Sequence, residues 1–189
     1  KDMKRIVIFA SGSGTNAENI IKHFQGNGLA KVIHVLSNKK DAKVLSRASA
    51  LGVANSSFNK DELLKTTTIH DLMLELKPDL IVLAGFLLKF PENIITAFPN
   101  KIINVHPALL PKYGGKGMYG SNVHKAVVAN NEEESGITIH YVNKHYDEGN
   151  IIFQASTQLF PSDSFEDVAA KIHVLEQKHF PLVIEQLLN

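Results

Sequence analysis

Short apolar runs alternate with longer amphipathic stretches in the first half of the chain. Three of these runs are continuous and partly β-branched, as is typical of strands covered on both faces: residues 6–10, 80–84 and 102–105. Residues 31–37 and 53–58 predict two weaker strands.

The stretches between these strands have apolar residues at three- and four-residue spacing. This spacing predicts helices around residues 17–24, 44–48 and 63–76. Because strand and helix alternate, we expect βαβ crossovers, which build a parallel sheet with helices on both faces.

The pattern changes after residue 106. Residues 136–142 alternate strictly between apolar and polar, and residues 151–157 follow as a second strand, which predicts an antiparallel hairpin. A final helix is expected after Ser164, which forms a capping-box pattern with Asp167, and Pro181 should kink or restart it. The predicted fold class is therefore α/β: a Rossmann-like, mostly parallel sheet with an antiparallel C-terminal hairpin, in a single domain over residues 1–189.

Charge and cysteine content narrow the function classes. The 20 Lys+Arg and 19 Asp+Glu residues nearly cancel, so the chain lacks the basic excess typical of nucleic-acid binding. It has no Cys, which excludes disulfides, thiolate zinc sites and cysteine nucleophiles and favours a cytosolic protein. No apolar run approaches the roughly 18 to 20 residues that cross a bilayer, so we expect no membrane partner.

A glycine-containing loop, residues 11–16, joins the first predicted strand to the first helix. Its glycines can turn backbone N–H groups toward an anion, and a helix N-terminus beside it suits a phosphate. Thr15 and Glu18 form a capping-box pattern at the helix start. The alternative to a phosphate site is a tight turn that only connects the strand to the helix. The third glycine of the dinucleotide fingerprint is missing.

Asn104 and His106 lie two residues apart at the end of the strand over 102–105. The period of a strand points both side chains to one face, at the sheet edge where open α/β sheets bind ligands. An amide donor beside an imidazole suits a developing oxyanion and a proton transfer. The alternative is a structural histidine in the core, with its hydrogen bonds satisfied and no part in catalysis.

Two carboxylates are further candidates. Asp147 lies in the hairpin connection, where aspartate often bonds the local backbone, but a carboxylate facing His106 would orient and stabilise an imidazolium. Glu176 interrupts the apolar stripe of the last helix and therefore needs a partner, either His173 or a cationic ligand.

Other chemistries find less support. None of the nine histidines falls in an H-E-x-x-H arrangement, so no metal is expected. Ser13 lacks the G-x-S-x-G spacing of a hydrolase nucleophile. The glycine-rich loop over residues 114–120 is either a mobile lid or a surface loop.

Together these motifs resemble those of the phosphoribosylglycinamide formyltransferase family of folate-dependent enzymes. The resemblance runs from about Arg5 to the end of the chain. It rests on Ser-Gly-Ser-Gly-Thr-Asn at 11–16, Leu-Ala-Gly-Phe at 83–86, Asn-Val-His-Pro-Ala-Leu-Leu-Pro at 104–111, His-Tyr-Val at 140–142 followed by Asp-Glu-Gly at 147–149, and Glu176 before Phe-Pro-Leu-Val-Ile at 180–184.

The resemblance implies transfer of a formyl group from 10-formyltetrahydrofolate to the amine of glycinamide ribonucleotide, in purine synthesis. It implies a nucleotide-binding half over about 4–100, a folate and catalytic half over about 101–189, and a monomer or weak homodimer. The implied residues are Asn104, His106 and Asp147 for catalysis, Gly14, Thr15, Asn16 and Glu176 for the ribonucleotide, and Leu87, Leu88, Lys89, Phe90, Asn104 and Lys60 for folate.

The chain departs from the family pattern at two folate positions. Leu88 stands where the family often has an arginine, so Lys89 is a candidate to hold the folate glutamate tail. A basic residue commonly follows the third strand, and Lys60 is the available one.

On this resemblance we expect protonated His106 and the Asn104 amide to hold the oxyanion, with Asp147 favouring the charged imidazole. The alternatives are a 10-formyltetrahydrofolate hydrolase, another folate formyltransferase such as one acting on methionyl-tRNA, and a nucleotide-binding module without catalysis.

Overall fold

The protein forms one seven-stranded sheet with helices packed on its two faces. The computed structural model describes residues 3–145 and 147–189. The strand order is β3-β2-β1-β4-β5-β6-β7. The strands are β1 Lys4–Phe9, β2 Ala30–Ser37, β3 Asn55–Ser57, β4 Leu80–Leu83, β5 Ile102–His106, β6 Glu134–Tyr141 and β7 Ile151–Gln158.

Strand directions divide the sheet into two parts. The first five strands pair in parallel, whereas β6 pairs antiparallel with β5 and with β7. The predicted fold class, a mostly parallel α/β sheet with an antiparallel C-terminal hairpin, is confirmed.

The helices agree with the sequence pattern in part. They are α1 Thr15–Asn27, α2 Lys43–Ala50, α3 Lys60–Leu64, α4 Thr68–Leu76, α5 Glu92–Ala97, α6 Ser121–Ala129 and α7 Phe165–Leu188. The single helix expected over 63–76 is two helices, since α3 ends at Leu64 and α4 begins at Thr68. The break coincides with three consecutive threonines at 66–68, which are poor helix formers. The patterns did not predict α5 and α6. Pro181 does not restart α7, which is continuous.

Successive residues of the central strands pack on opposite sides of the sheet. Ile6 and Ile8 belong to the core beneath α1 and α7, and Val7 and Phe9 belong to the core beneath α4 and α5. All four are fully buried, and each such side chain contributes about 1.5–3 kcal/mol by leaving water. This two-sided burial explains the continuous apolar runs of the sequence.

The parallel strands end together at one edge, and this arrangement positions the site. The turns after β1 and β4 meet there, since the Ser11 N–H donates to the Gly85 carbonyl at 3.1 Å. Ligands bind at this edge in open α/β sheets. Within the described ranges, no helix is long and apolar enough to cross a membrane.

Candidate active site

A cavity of about 890 Å³ opens at the carboxyl edge of the parallel strands. Its size is in the range typical of small-molecule sites. Its wall includes residues 11–16, 83–90, 104–107 and 115–121, residues of the hairpin connection and of α7, and Lys39, His124 and His140. The sequence-predicted site residues other than Lys60 all line it.

The N-terminal turn of the cavity is held in shape by Gly14. This residue has φ 77°, and a Cβ there would lie 2.5 Å from the Cβ of Val44 in α2. α1 begins after it with no hydrogen bond from a capping side chain. No side chain therefore competes at its first N–H groups, and the anion site expected there stays a prediction.

The capping box predicted from Thr15 and Glu18 is wrong. Glu18 instead accepts a hydrogen bond from Arg47 at 2.6 Å and one from Lys22 at 3.0 Å, and these contacts lower its pKa. The arginine comes from the next helix, so spacing along α1 could not reveal this competition.

Ser11 ties this turn to its neighbours. Its hydroxyl donates to Asn38 Oδ1 at 2.6 Å and accepts from the Leu87 N–H at 3.0 Å. Lys39 follows Asn38 and lines the cavity, which places a cation on the same wall as the turn. Sequence reasoning missed Lys39; its position directly after a buried strand was the available signal.

Glu176 of α7 lies on the same wall as Asn16. Burial raises the pKa of its carboxyl to about 7, and a hydrogen bond with the Asn16 side chain partly opposes that rise. Among the described residues, it is Asn16, and not His173, whose side chain acts on this pKa. His173 is exposed and also lines the cavity.

Asp147 lies between two imidazoles at the other end of the cavity. Its Oδ1 is 3.6 Å from His106 Nδ1 and 3.6 Å from His140 Nε2, and its Oδ2 accepts the Gly115 N–H at 3.0 Å. Burial acts to raise the pKa of this carboxyl, but the two histidines and Gly115 together lower it. Asp147 is thus an anion facing both rings.

His106 is almost fully buried. Burial lowers its pKa, and this outweighs the upward effects of Asp147 and of the Tyr113 carbonyl. Its Nε2 donates to that carbonyl at 2.7 Å. Desolvation thus disfavours the charged imidazole and the nearby carboxylate favours it. The protonated His106 expected during the reaction stays a prediction.

Asn104 contacts His140, which belongs to one of the family motifs but received no role from the sequence. Its Nδ2 donates to His140 Nε2 at 3.1 Å, while His140 Nδ1 donates to the Tyr141 carbonyl at 2.9 Å. Asn104 and His140 are direct partners in the antiparallel register of β5 and β6. That register comes from tertiary pairing, which no spacing along one strand encodes.

His124 of α6 is a cavity histidine that the sequence analysis missed. It is buried, lines the cavity, and its Nδ1 has no hydrogen-bond partner among residues 3–145 and 147–189. Burial lowers its pKa, and His106 contributes to the same direction. The helix that positions it follows the glycine-rich loop and has no distinctive sequence signal.

The predicted folate residues divide into two groups. Leu87, Leu88, Lys89 and Phe90 line the cavity. Lys60, the first residue of α3, is exposed and is not among the described residues of the cavity wall, so the structure does not bring it into the site.

The glycine-rich loop lines the cavity along residues 115–120. The loop therefore belongs to the site, and both interpretations of it, a mobile lid and a surface loop, stay predictions. In the described part of the chain, no group of three or more His, Asp or Glu side chains could hold a metal ion.

Comparison with known proteins points to one family. The formyl transferase family model matches residues 4–184. Phosphoribosylglycinamide formyltransferase of Haemophilus influenzae is 37% identical over 97% of this chain and 86% of that protein. The chloroplastic phosphoribosylglycinamide formyltransferase of Arabidopsis thaliana is 36% identical over 93% of this chain, which spans 62% of that protein.

A solved structure agrees with these relatives. Glycinamide ribonucleotide transformylase 1 from Symbiobacterium toebii superposes with a TM-score of 0.90 at 30% identity, over 98% of this chain and 88% of that one. The match extends over both parts of the sheet and therefore over all segments that form the cavity. The resemblance seen in the motifs is confirmed, and the chain belongs to the formyl transferase family.

Proposed function

We propose that this protein transfers the formyl group of 10-formyltetrahydrofolate to the amine of glycinamide ribonucleotide. The observation that supports this most directly is the placement of Asp147, 3.6 Å from both His106 and His140, in the same cavity as the turn over residues 11–16. A phosphate site and an acid–base cluster in one cavity suit a phosphorylated amine that attacks an acyl carbon.

The proposed chemistry begins with the amine of the ribonucleotide, which attacks the formyl carbon. A C–N bond forms, the carbonyl oxygen becomes an oxyanion, and the amine proton passes to His106. The resulting imidazolium faces Asp147, and the developing oxyanion receives hydrogen bonds from the Asn104 amide. The bond from the formyl carbon to N10 of the folate then breaks, and N10 takes the proton.

A neutral His106 suits the first of these steps better than a charged one, since only the neutral ring can accept a proton. Its Nε2 is bound to the Tyr113 carbonyl at 2.7 Å. In the neutral ring Nε2 carries the hydrogen that it donates to Tyr113, and Nδ1, which faces Asp147 at 3.6 Å, is the acceptor nitrogen. Accepting the amine proton at Nε2 therefore requires this hydrogen to move to Nδ1 and the bond to Tyr113 to break.

The substrates are assigned to the two ends of the cavity. In the proposal, Gly14, Thr15 and Asn16 hold the phosphate and Glu176 contacts the glycinamide or ribose end. Leu87, Leu88 and Phe90 with Lys89 hold the folate, and Lys89 takes the glutamate tail. In this assignment the half over about 4–100 supplies both the phosphate turn and the folate residues 87–90, and the half over about 101–189 supplies Glu176 and the catalytic groups.

A single assay tests the activity. The protein is incubated with 10-formyltetrahydrofolate, with and without glycinamide ribonucleotide, while folate absorbance is followed. Release that depends on the ribonucleotide supports the proposal. Release without it identifies a hydrolase, and absence of release identifies a binding module; either result contradicts the proposal. Oligomeric state and cytosolic location stay predictions from sequence.

A further inference from the structure

Pro181 lies inside α7, yet the helix is continuous from Phe165 to Leu188. Proline has no backbone N–H, so the carbonyl four residues earlier, that of Gln177, lacks its usual partner within the helix. The side chain of Asn19 in α1 supplies the missing donor, since its Nδ2 donates to the Gln177 carbonyl at 2.9 Å. The proline therefore leaves a carbonyl of α7 that accepts a hydrogen bond from α1, and this bond links the two helices.

The side chain of Gln177 makes a second contact with the same helix. Its Nε2 donates to Asn16 Oδ1 at 3.2 Å. Asn16 lies in the N-terminal turn and lines the cavity, as does Glu176, the residue before Gln177. Gln177 is thus held at its backbone by α1 and in turn holds a cavity residue through its side chain.

This contact decides which way the Asn16 amide points. An amide has an acceptor oxygen and a donor nitrogen, and the donor of Gln177 occupies the oxygen. The NH₂ group of Asn16 is therefore the end left for other partners, among them the Glu176 carboxylate and an anion in the turn. If the donor of Gln177 were lost, either end of the amide could face the cavity.

We propose that Gln177 is a positioning residue for the amine substrate, acting through the orientation of the Asn16 amide and its distance from Glu176. This inference rests on the proposed function, because it assumes that the ribonucleotide binds between Asn16 and Glu176. Gln177 is not among the residues that line the cavity in the described chain, so it acts without touching the substrate.

The same helix pair offers a matched control for a merely structural role. Glu185 lies two turns further along α7 and accepts hydrogen bonds from His23 at 3.2 Å and Asn27 at 3.0 Å, both in α1. None of these three residues lines the cavity. Gln177→Met and Glu185→Met each remove polar contacts between α1 and α7 while keeping similar volume.

The first test measures KM and kcat for both variants. Gln177→Met should raise KM for glycinamide ribonucleotide roughly tenfold, the effect of about one hydrogen bond, and leave kcat and KM for the formyl donor within about twofold. Glu185→Met should lower the unfolding midpoint by a similar amount to Gln177→Met without changing any KM. Equal kinetic effects in the two variants, or a loss confined to kcat, would overturn the proposal.

The second test asks whether Gln177 acts through Asn16. In a double-mutant cycle, Gln177→Met should have little further effect on KM once Asn16→Ala is present. Additive effects would contradict the proposed route.

Calorimetry of glycinamide ribonucleotide binding without the formyl donor separates this inference from the proposed function. A roughly tenfold weaker Kd in Gln177→Met supports the positioning role even if the unmutated protein fails to transfer formyl groups. An unchanged Kd, or no binding by the unmutated protein, would contradict the positioning role of Gln177.

Discussion

The two ends of the cavity are built on different physical principles. The end formed by the N-terminal turn depends on backbone shape: Gly14 takes a left-handed conformation against Val44, and Ser11 links neighbouring turns. The end around Asp147 depends on buried titratable groups, with two imidazoles each 3.6 Å from one carboxylate oxygen. The first end should therefore be sensitive to changes of size, and the second to changes of charge.

The largest expected effect comes from removing the imidazole at the charged end. His106→Ala should lower kcat by roughly 10²–10⁴-fold with little change in the affinity for the ribonucleotide, because a positioned acid–base group acts mainly in the transition state. Steady-state kinetics with both substrates measures this. His70→Ala removes a histidine that does not line the cavity and serves as the control. Equal losses in affinity and turnover would show that His106 is structural.

Asp147→Asn tests the charge of the same end at nearly constant shape. The amide oxygen can still accept the Gly115 N–H, but the negative charge facing His106 is lost. We expect kcat to fall by about 10- to 100-fold, since the imidazolium is no longer stabilised.

The pH profile of Asp147→Asn provides an independent readout. Asp147 raises the pKa of His106, so its neutralisation should lower that pKa further. Because the neutral ring is the active base, the acidic limb of kcat/KM should move to lower pH. An unmoved limb would remove Asp147 from the proton transfer.

At the other end, Gly14→Ala tests shape without charge. A Cβ would meet Val44 at 2.5 Å on a backbone with φ 77°, so we expect a loss of about 2–3 kcal/mol in the free energy of unfolding. Urea denaturation measures it. Gly26→Ala, in α1 with open space around it, should instead stabilise by about 0.5–1 kcal/mol.

The smallest effect concerns Glu176, the one strongly shifted acid at the shape-dependent end. Its pKa in the folded protein is about 7, above the ordinary 4.5, so folding disfavours its ionised form. The stability associated with this group is fully present below pH 4.5 and is lost as the pH rises to about 7.

Glu176→Gln should not lose stability in this way, because its side chain does not ionise as the pH rises. The side chain keeps contact with the open cavity, so we expect the variant to be more stable than the unmutated protein by about 1–2 kcal/mol at pH 8 and to differ little at pH 4.5. Thermal unfolding across this pH range measures the difference. Glu75→Gln, at an exposed position of α4, should follow the unmutated curve. A constant difference across pH would contradict the assignment.

The sequence predicted those parts of the site that follow from strand ends and from periodicity. Asn104 and His106 share a face because a strand has a period of two, and the turn at residues 11–16 meets them because parallel strands end at one edge. Asp147 was placed in the hairpin connection, although its approach to His106 required the structure.

The parts that could not be predicted depend on contacts between distant segments. His140 reaches Asn104 through the cross-strand register, and Arg47 diverts Glu18 from its expected cap. Burial lowers the pKa of His106 by a balance of opposing effects that only the folded arrangement determines.

The hydrogen bond from His106 to Tyr113 makes the ring a reporter of the neighbouring backbone. Tyr113 immediately precedes the two glycines that begin the glycine-rich loop, and its carbonyl occupies Nε2 at 2.7 Å. A single N–H cannot serve this carbonyl and an incoming ligand equally well, so occupation by one displaces the other. The nitrogen resonance of this one imidazole should therefore distinguish, in solution, molecules whose backbone still holds the ring from molecules in which the ring has been released.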